Sequence, residues 1–259
     1  IKKSRQLRNN PPKLKINMSH DLRTPLSGIQ SLAENIVNKT KDPHISKDAS
    51  LLLDASRNLS ALIDSILDVT RADSQNFLDQ TSTFTVRSLI KGVIDMHMPS
   101  ILKKKLTFDY AIPPHFPDQL TGHPKILQRI LINLLSNAIH FTPAQKSIQL
   151  HIDVIHKSNN KIHMIIDIID TGIGIAEDKI NFIFDKFSRV KASYKEQNAG
   201  TGVGLYLVKK YISELSGSIS VTSKINQGST FHCEIPLLIP DNKEKSTVTK
   251  QPTQTKNQH

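Results

Sequence analysis

Apolar residues recur three or four positions apart between residues 14 and 69, which is the spacing of one helix face. The pattern breaks at Asp42-Pro43, where Ser46 or a neighbour is expected to cap a second helix. We therefore predict two amphipathic helices in an antiparallel hairpin. The apolar positions are Leu14, Met18, Leu22, Leu26, Ile29, Leu32 and Ile36 in the first helix, and Leu52, Ala55, Leu59, Leu62, Ile66 and Val69 in the second.

The second apolar set is heptad-like, and a hairpin alone has little against which to bury it. This favours the pairing of two hairpins into a dimeric four-helix bundle. The alternative is that the stripe packs against a second domain of the same chain.

From residue 82 onward, short strand patterns alternate with helical ones, and neighbouring strands are separated by short turns. The expected fold class is α+β: the helical hairpin, followed by an α/β sandwich in which helices cover one face of a sheet. The predicted division is a linker over 1–13, a helical domain over 14–76, a mixed domain over 82–239 and a disordered tail or linker over 240–259. The predicted strands are STFTV, KLTFDYAI, SIQLHIDVIH, KIHMIIDII, GSISVTSK and STFHCEIPL, and the predicted helices are SLIKGVIDMHMPSILKK, HPKILQRILINLLSNAIHF and one that starts near Val203.

The composition narrows the classes of function. A formal charge of +11 is spread over scattered lysines and arginines without interleaved aromatic residues, so we expect a basic surface with phosphate contacts and no nucleic-acid partner. With one cysteine, Cys233, an intrachain disulfide is impossible. No apolar run is long enough to span a bilayer. The expected location is the cytoplasm, with any membrane attachment supplied by segments outside this sequence.

Two asparagines lie one turn apart on the most apolar predicted helix. Asn133 and Asn137 should face the same way. Either they satisfy the helix locally, or they meet a polar ligand or a hard cation. An amide oxygen suits Mg²⁺, which keeps waters and substrate phosphates around it.

Two glycine-rich segments follow. A predicted strand ends at Asp170, and Gly172 and Gly174 come next, either as an ordinary turn or to let the backbone approach a ligand. A carboxylate there would accept a hydrogen bond from an exocyclic amine such as that of adenine. Further on, Gly200, Gly202 and Gly204 lead directly into a helix, an arrangement that holds anions. The spacing excludes the Rossmann and P-loop fingerprints. The polar segment past Phe187 is a candidate lid.

Taken together and in this order, the motifs resemble those of the sensor histidine kinases, hybrid kinases included. SHDLRTPL resembles the family's phosphoacceptor box, NLLSNA its N box, DTGIGI and GTGVGL its glycine boxes, and IFDKF its F box. The resemblance covers roughly residues 16–236. It implies a Bergerat-type ATP-binding domain fused to a dimerising hairpin, with ATP and Mg²⁺ as ligands and Asn137 as the metal ligand. The nucleotide-binding residues implied are Asn133, Asn137, Phe141, Asp170, Gly172, Gly174, Phe187, Gly200, Thr201, Gly202, Gly204 and Leu205.

The resemblance also assigns roles in the stretch SHDLRTPL. His20 would attack the γ-phosphate of ATP, and Asp21 would act as the general base or fix the tautomer of the imidazole. Thr24, one turn after His20, would position a water in a phosphatase reaction. Pro25 removes a backbone donor, which predicts a bend in the helix. The implied partners are a second copy of the chain and a receiver domain whose aspartate accepts the phosphoryl group.

Some positions depart from the family's pattern. His140 stands where a basic residue usually follows the N box, which puts the rate of autophosphorylation in doubt, and His123 occupies a position that is often acidic. The competing interpretations are a catalytically weak kinase-like dimeric scaffold and an ATPase of the gyrase type. The ATPase would need a carboxylate where the chain has Gln128 and Arg129. A DNA-binding protein is a distant alternative.

Overall fold

The structure, a computed structural model, describes residues 12–72, 81–158, 160–188 and 202–240. Two helices come first, α1 (Pro12–Lys39) and α2 (Pro43–Ala72), and they form the predicted hairpin. The mixed domain contains β1 (Ser82–Thr85), α3 (Val86–Lys103), β2 (Thr107–Ala111), β3 (Gln119–Gly122), α4 (Pro124–Phe141), β4 (Ser147–His156), β5 (Lys161–Asp170), a short 3-10 helix (Glu177–Phe182), α5 (Gly204–Glu214), β6 (Ser218–Lys224) and β7 (Gly228–Leu238). The predicted α+β class is confirmed, and α1 begins at Pro12, two residues before the predicted start of the helical domain. Residues 1–11 of the predicted linker, most of the tail and most of the candidate lid fall outside the described residues.

The turn of the hairpin is closed by Asp42. Its Oδ1 accepts hydrogen bonds from the backbone N–H groups of His44 at 2.8 Å and Ile45 at 3.4 Å. Pro43 is the first residue of α2, where a missing N–H costs nothing. Asp42 is therefore the N-cap, and the prediction that named Ser46 for this role is wrong, because the capping residue lies four positions earlier, within the predicted break. Before this turn, helix α1 is not ended by Pro25 and continues as far as Lys39.

Only part of the predicted apolar stripe is buried inside the hairpin. Small and apolar side chains fill the contact between the two helices, namely Leu26, Ala33, Ala49, Leu53 and Ser56. Large apolar side chains face outward instead, at 42% to 66% relative exposure: Ile29, Leu32, Ile36, Ile45, Leu52, Leu59 and Ile66. Four of these on α2 lie seven residues apart. Of the predicted apolar positions on α2, only Val69 belongs to the buried core of the mixed domain. Packing against the mixed domain of the same chain therefore buries little of the predicted apolar stripe.

The mixed domain is built on a seven-stranded sheet in the order β1-β3-β7-β5-β4-β2, with β6 also paired to β7. Every pairing is antiparallel except the parallel pair of β2 with β4. Strand β3 was not predicted, because its four residues, QLTG, are too few and too polar to show a strand pattern.

One face of the sheet is apolar and covered by α3, α4 and α5. Alternate residues of the three central strands point into this core: Ile148, Leu150, Ile152 and Val154; Ile162, Met164, Ile166 and Ile168; and Phe231, Cys233, Ile235 and Leu237. The thiol of Cys233 is fully buried, and this burial raises its pKa to about 12. The predicted placement of helices on one face is confirmed.

The opposite face of the sheet is polar. Strands β5 and β7 are linked across it by a hydrogen bond between His163 and Glu234, and by another between His232 Nδ1 and Asp167 Oδ1 at 2.7 Å. Polar pairs such as these suit a face that no helix covers.

None of the helices in the described part of the chain combines the length and the apolar character needed to cross a membrane.

Candidate nucleotide and phosphoacceptor sites

The end of β5 is tied to the end of α4. Asp170 Oδ1 accepts a hydrogen bond from the backbone N–H of Gly172 at 2.8 Å. The backbone N–H of Ile173 donates to the carbonyl of Phe141 at 3.2 Å. A Cβ on Gly172 would lie only 2.5 Å from that same carbonyl oxygen, so this close approach requires glycine. The structure thus brings Asp170, Gly172 and Phe141 together.

The carboxyl group of Asp170 is buried. The residue is 5% exposed, and burial raises the pKa of its carboxyl group, opposed in part by hydrogen bonds from the backbone N–H groups of Gly172 and Ser229. The carboxyl is thus buried and fixed in orientation, at the strand end where the sequence places a hydrogen-bond acceptor for an amine.

Gly174 holds the second part of this segment against the turn between β6 and β7. Its φ is +68°, and a Cβ there would lie 2.1 Å from the carbonyl oxygen of Lys224. The backbone N–H of Asn226 also donates to the carbonyl of Ile173 at 2.8 Å. The segment from Asp170 to Gly174 is therefore held by backbone contacts on both sides, and its glycines are required by this close packing.

Asn133 lies beside the start of α5. Its Nδ2 donates to the carbonyl of Arg129 at 2.9 Å, and its Oδ1 lies 2.8 Å from the position that a Cβ on Gly204 would take. Gly202 has a φ of +69°, and α5 begins at Gly204, with Leu205 packed against the core. The predicted anion cradle and the first asparagine are thus adjacent. Gly200 and Thr201 lie outside the described residues.

Asn137 follows one turn later and is half-buried. No hydrogen bond joins its side-chain amide to another residue of the described ranges. In the same part of the chain there is no group of three His, Cys, Asp or Glu residues that could hold a metal ion. A cation at this place would therefore rely on the amide oxygen and on oxygens from the ligand, which matches the preference of Mg²⁺.

The two aromatic residues predicted to bind the nucleotide, Phe141 and Phe187, differ in exposure and in ring contacts. Phe141 ends α4 with 43% of its surface exposed, and the ring of His140 packs edge-on against it with 4.6 Å between the ring centroids. Phe187 is 61% exposed and has a φ of +61°. The exposed ring of Phe141, beside Asp170, suits stacking on a planar base. Phe187 is the second-last residue of the described segment 160–188.

Sequence reasoning missed Lys104, which caps the carboxyl end of α4. Its ammonium group donates to the carbonyls of Ile139 at 2.7 Å, His140 at 2.9 Å and Thr142 at 3.2 Å. A cation at this end also interacts favourably with the helix dipole. The signal was hidden, because Lys104 lies in the run of lysines that the sequence pattern assigned to a basic surface.

Replacing Lys104 with Met should lower the free energy of unfolding by about 1–3 kcal/mol, because three carbonyls lose a charged donor at a partly buried helix end. Urea denaturation measures the change. Lys103→Met is the matched control: Lys103 is exposed in the last turn of α3, and its loss should cost less than about 0.5 kcal/mol. Equal losses in the two variants would contradict a capping role for Lys104.

The phosphoacceptor candidates lie on α1. The backbone places His20, Asp21 and Thr24 within about one helical turn. The side chains of His20 and Asp21 lie outside the described part of the structure, and Thr24 is exposed. Arg23 forms a 2.5 Å ion pair with Asp64 across the hairpin, so the described structure pairs it with a carboxylate.

The sequence matches two family models in succession. Residues 17–75 match the His Kinase A (phospho-acceptor) domain, and residues 122–239 match the family of histidine kinase-, DNA gyrase B- and HSP90-like ATPases. The order is the one that the motifs predicted. An ATP-binding domain of this family therefore follows a phosphoacceptor domain.

Curated relatives and solved structures give the same result. The chain is 33% identical over 221 residues to the signal transduction histidine-protein kinase BarA of Escherichia coli, covering 85% of this chain and 24% of BarA. It is 30% identical over 233 residues to the autoinducer 2 sensor kinase/phosphatase LuxQ of Vibrio vulnificus, covering 90% of this chain and 27% of LuxQ. The chain thus spans about a quarter of the length of these relatives.

The fold as a whole is similar to that of full-length ShkA, which was crystallised in complex with AMPPNP. The TM-score is 0.69 at 23% identity, over 89% of this chain and 47% of ShkA. Together with the two matched domains and the relatives, this shows that the chain belongs to the sensor histidine kinases and carries their phosphoacceptor hairpin and ATP-binding domain.

Proposed function

We propose that the chain is the catalytic core of an ATP-dependent protein-histidine kinase in a two-component system, with His20 as the phosphorylated residue. The main support for the proposal is the order of the two domains together with the contacts inside the second one. A phosphoacceptor domain containing His20 precedes an ATPase-type domain. In the second domain, Asp170, Asn133 and the start of α5 lie on elements that contact one another.

The chemical step is a transfer of the γ-phosphoryl group. The lone pair of one imidazole nitrogen of His20 attacks the phosphorus, an N–P bond forms, and the bond from phosphorus to the bridging oxygen of ADP breaks. The imidazole then carries an excess proton on its other nitrogen. Asp21, next in sequence, accepts that proton or holds the ring in the reactive tautomer.

The nucleotide is bound between the last turn of α4, which carries Phe141, and the start of α5, which lies beside Asn133 in the middle of α4. At the base end, the Asp170 carboxylate accepts a hydrogen bond from the amine of adenine, while Phe141 offers a ring face and Gly172 and Gly174 allow close approach. At the phosphate end, backbone N–H groups at the start of α5 meet the anionic oxygens. The residues assigned there are Asn133, Gly200, Thr201, Gly202, Gly204 and Leu205, with Phe187 at the edge of the candidate lid.

Magnesium is assigned to Asn137. An amide oxygen is a ligand that suits Mg²⁺, which supports this assignment, and a bound Mg²⁺ would supply positive charge to the phosphate oxygens during transfer. Asn137 orients the cation, and Asn133 lies one turn away on the same helix.

The proposed partners are a second copy of the chain and a receiver domain. The outward-facing apolar side chains of α1 and α2 support a homodimer through a four-helix bundle, because so many exposed apolar residues in a heptad pattern are costly in water. The receiver aspartate would take the phosphoryl group from His20. Thr24, exposed one turn after His20, would position a water in a phosphatase reaction.

The test is incubation with γ-labelled ATP and Mg²⁺, followed by acid and alkali treatment of the labelled protein. The expected label is stable in alkali and labile in acid, as an N–P bond is, and Asn137→Ala should abolish it. A chain that binds ATP without becoming labelled would be the kinase-like scaffold. Steady release of free phosphate without labelled protein would indicate the ATPase, although α4 offers that mechanism no carboxylate.

Nucleotide affinity should fall as pH falls through the raised pKa of Asp170, because only the carboxylate can accept two hydrogen bonds on each oxygen. The loss should begin at a higher pH than an ordinary aspartate, with a pKa of about 3.9, would give. The same shift means that the free energy of unfolding falls as the pH rises from the unfolded pKa of this carboxyl to its raised folded pKa, above which the full cost of the buried carboxylate remains. Calorimetric titration with AMPPNP across this range measures the affinity.

Asp170→Asn provides the control for this pH dependence. The variant should bind weakly at every pH and lose only the part of the dependence that the carboxyl causes, since protonation of the adenine ring affects both proteins. An identical pH profile in the two proteins would count against Asp170 as the group that meets the base.

A further inference from the structure

A polar bond joins α4 to α5 in the middle of an apolar contact. Arg129 donates from its guanidinium group to the hydroxyl of Tyr211 at 3.1 Å. Tyr211 is only 1% exposed and is among the largest fully buried side chains of the domain. A buried hydroxyl needs a hydrogen-bond partner, and the guanidinium group of Arg129 supplies one here.

Arg129 also controls the orientation of Asn133. Its backbone carbonyl accepts the hydrogen bond from Asn133 Nδ2 at 2.9 Å. With the nitrogen turned back toward Arg129, the oxygen of the same amide faces Gly204, 2.8 Å from the position of a Cβ there. One residue therefore touches both α5, through its side chain, and the amide beside the start of α5, through its backbone.

The geometry of α5 links these two contacts. Tyr211 lies seven residues after Gly204, about two helical turns away and on the same face. Because a helix of this length is stiff, fixing its side at Tyr211 also fixes where its first N–H groups lie relative to Asn133.

We propose that Arg129, through its bond to Tyr211, is a positioning residue that holds the start of α5 against Asn133 and so forms the site for the nucleotide phosphates. The inference rests on the proposed function, since it assigns this end of the pocket to phosphate. Arg129 itself contacts neither the base nor the phosphorus.

The base end of the pocket should be insensitive to this bond. Phe141 lies twelve residues after Arg129, about 18 Å along α4. Asp170 and Gly172 are fixed by hydrogen bonds that do not involve α5. Loss of the Arg129–Tyr211 bond should therefore weaken the binding of a triphosphate and leave the binding of adenosine nearly unchanged.

The experiment compares the affinities of AMPPNP with Mg²⁺ and of adenosine, each by NMR titration of the full chain. Tyr211→Phe and Arg129→Met should each weaken AMPPNP binding about tenfold, the loss of roughly one hydrogen bond to a charged donor. Adenosine affinity should change by less than about twofold. The double variant should lose less than the sum of the two single losses, because both single variants remove the same bond. Arg129→Lys keeps a cationic donor and should recover part of the loss.

Glu214→Gln is the matched control on α5, where it breaks an exposed ion pair with Lys210 of 2.7 Å. It should leave both affinities unchanged. Equal weakening of AMPPNP and adenosine in the Tyr211 and Arg129 variants, or no weakening of either, would overturn the positioning role alone. Failure of the unmodified chain to bind AMPPNP would overturn the proposed function and this inference with it.

Discussion

Replacement of His20 by Gln should reduce the acid-labile label from γ-labelled ATP to background. Glutamine has a similar size and a polar end, but its amide nitrogen has no basic lone pair to attack phosphorus. The variant should still bind AMPPNP with unchanged affinity, because His20 lies on α1, outside the domain that holds the nucleotide groups. Autoradiography after acid and alkali treatment, together with a binding titration, separates the two effects.

His44→Gln is the matched control for this experiment. His44 is an exposed histidine near the start of α2 and has no proposed role in the reaction. This variant should be labelled as well as the unmodified chain. Acid-labile label that persists without His20, or disappears without His44, would refute the assignment of His20 as the phosphoacceptor.

Local patterns were sufficient to predict most elements and the order of the motifs. The helices α1 to α5 follow from apolar spacing, and the end of β5 at Asp170 follows from the glycines after it. Strand β3 was missed because its four residues, QLTG, are too few and too polar to show a strand pattern, although the strand pairs with both β1 and β7. The cap at Asp42 was not named in advance, since turn chemistry offers several nearby side chains for the same role, and the sequence pattern used Asp42 only to mark the break between the helices.

The surroundings of Asp170 could not have been predicted from local patterns. In the register of β5 with β7, Asp170 pairs with Ser229, so the backbone of Gly228 and Ser229 lies directly against it. These residues are more than fifty positions away in the sequence. Their contact with Asp170 depends on how two strands align, which no single segment encodes.

The two amides on α4 illustrate a similar limit. Helical spacing correctly predicts that Asn133 and Asn137 share a face, but it does not tell which one is held by a local bond. Asn133 bonds to the carbonyl four residues earlier, while the amide of Asn137 makes no such bond within the described structure. Likewise, the basic composition does not distinguish Lys104, a helix cap, from its exposed neighbours.

Replacement of Gly228 by Ala should be among the most damaging single changes in the ATP-binding domain. Its φ is +107°, and a Cβ there would lie 1.9 Å from the carbonyl oxygen of Asp170, a backbone atom that cannot turn aside. Strain at the residue and displacement of β5 should together lower the free energy of unfolding by about 3–5 kcal/mol. Nucleotide binding should be lost as well, because the displaced atoms belong to Asp170.

Gly92→Ala is the matched control for Gly228→Ala. Gly92 is exposed within α3, and a Cβ there would meet nothing within 4 Å, so the change should raise stability by about 0.5–1 kcal/mol. Urea denaturation gives the free energies. The rate at which a thiol reagent labels Cys233 gives an independent measure of sheet opening, because this buried thiol is the only one in the chain and lies on β7 five residues after Gly228. Slow labelling and intact nucleotide binding in Gly228→Ala would mean that β5 and β7 are not held as closely at Asp170 as the register requires.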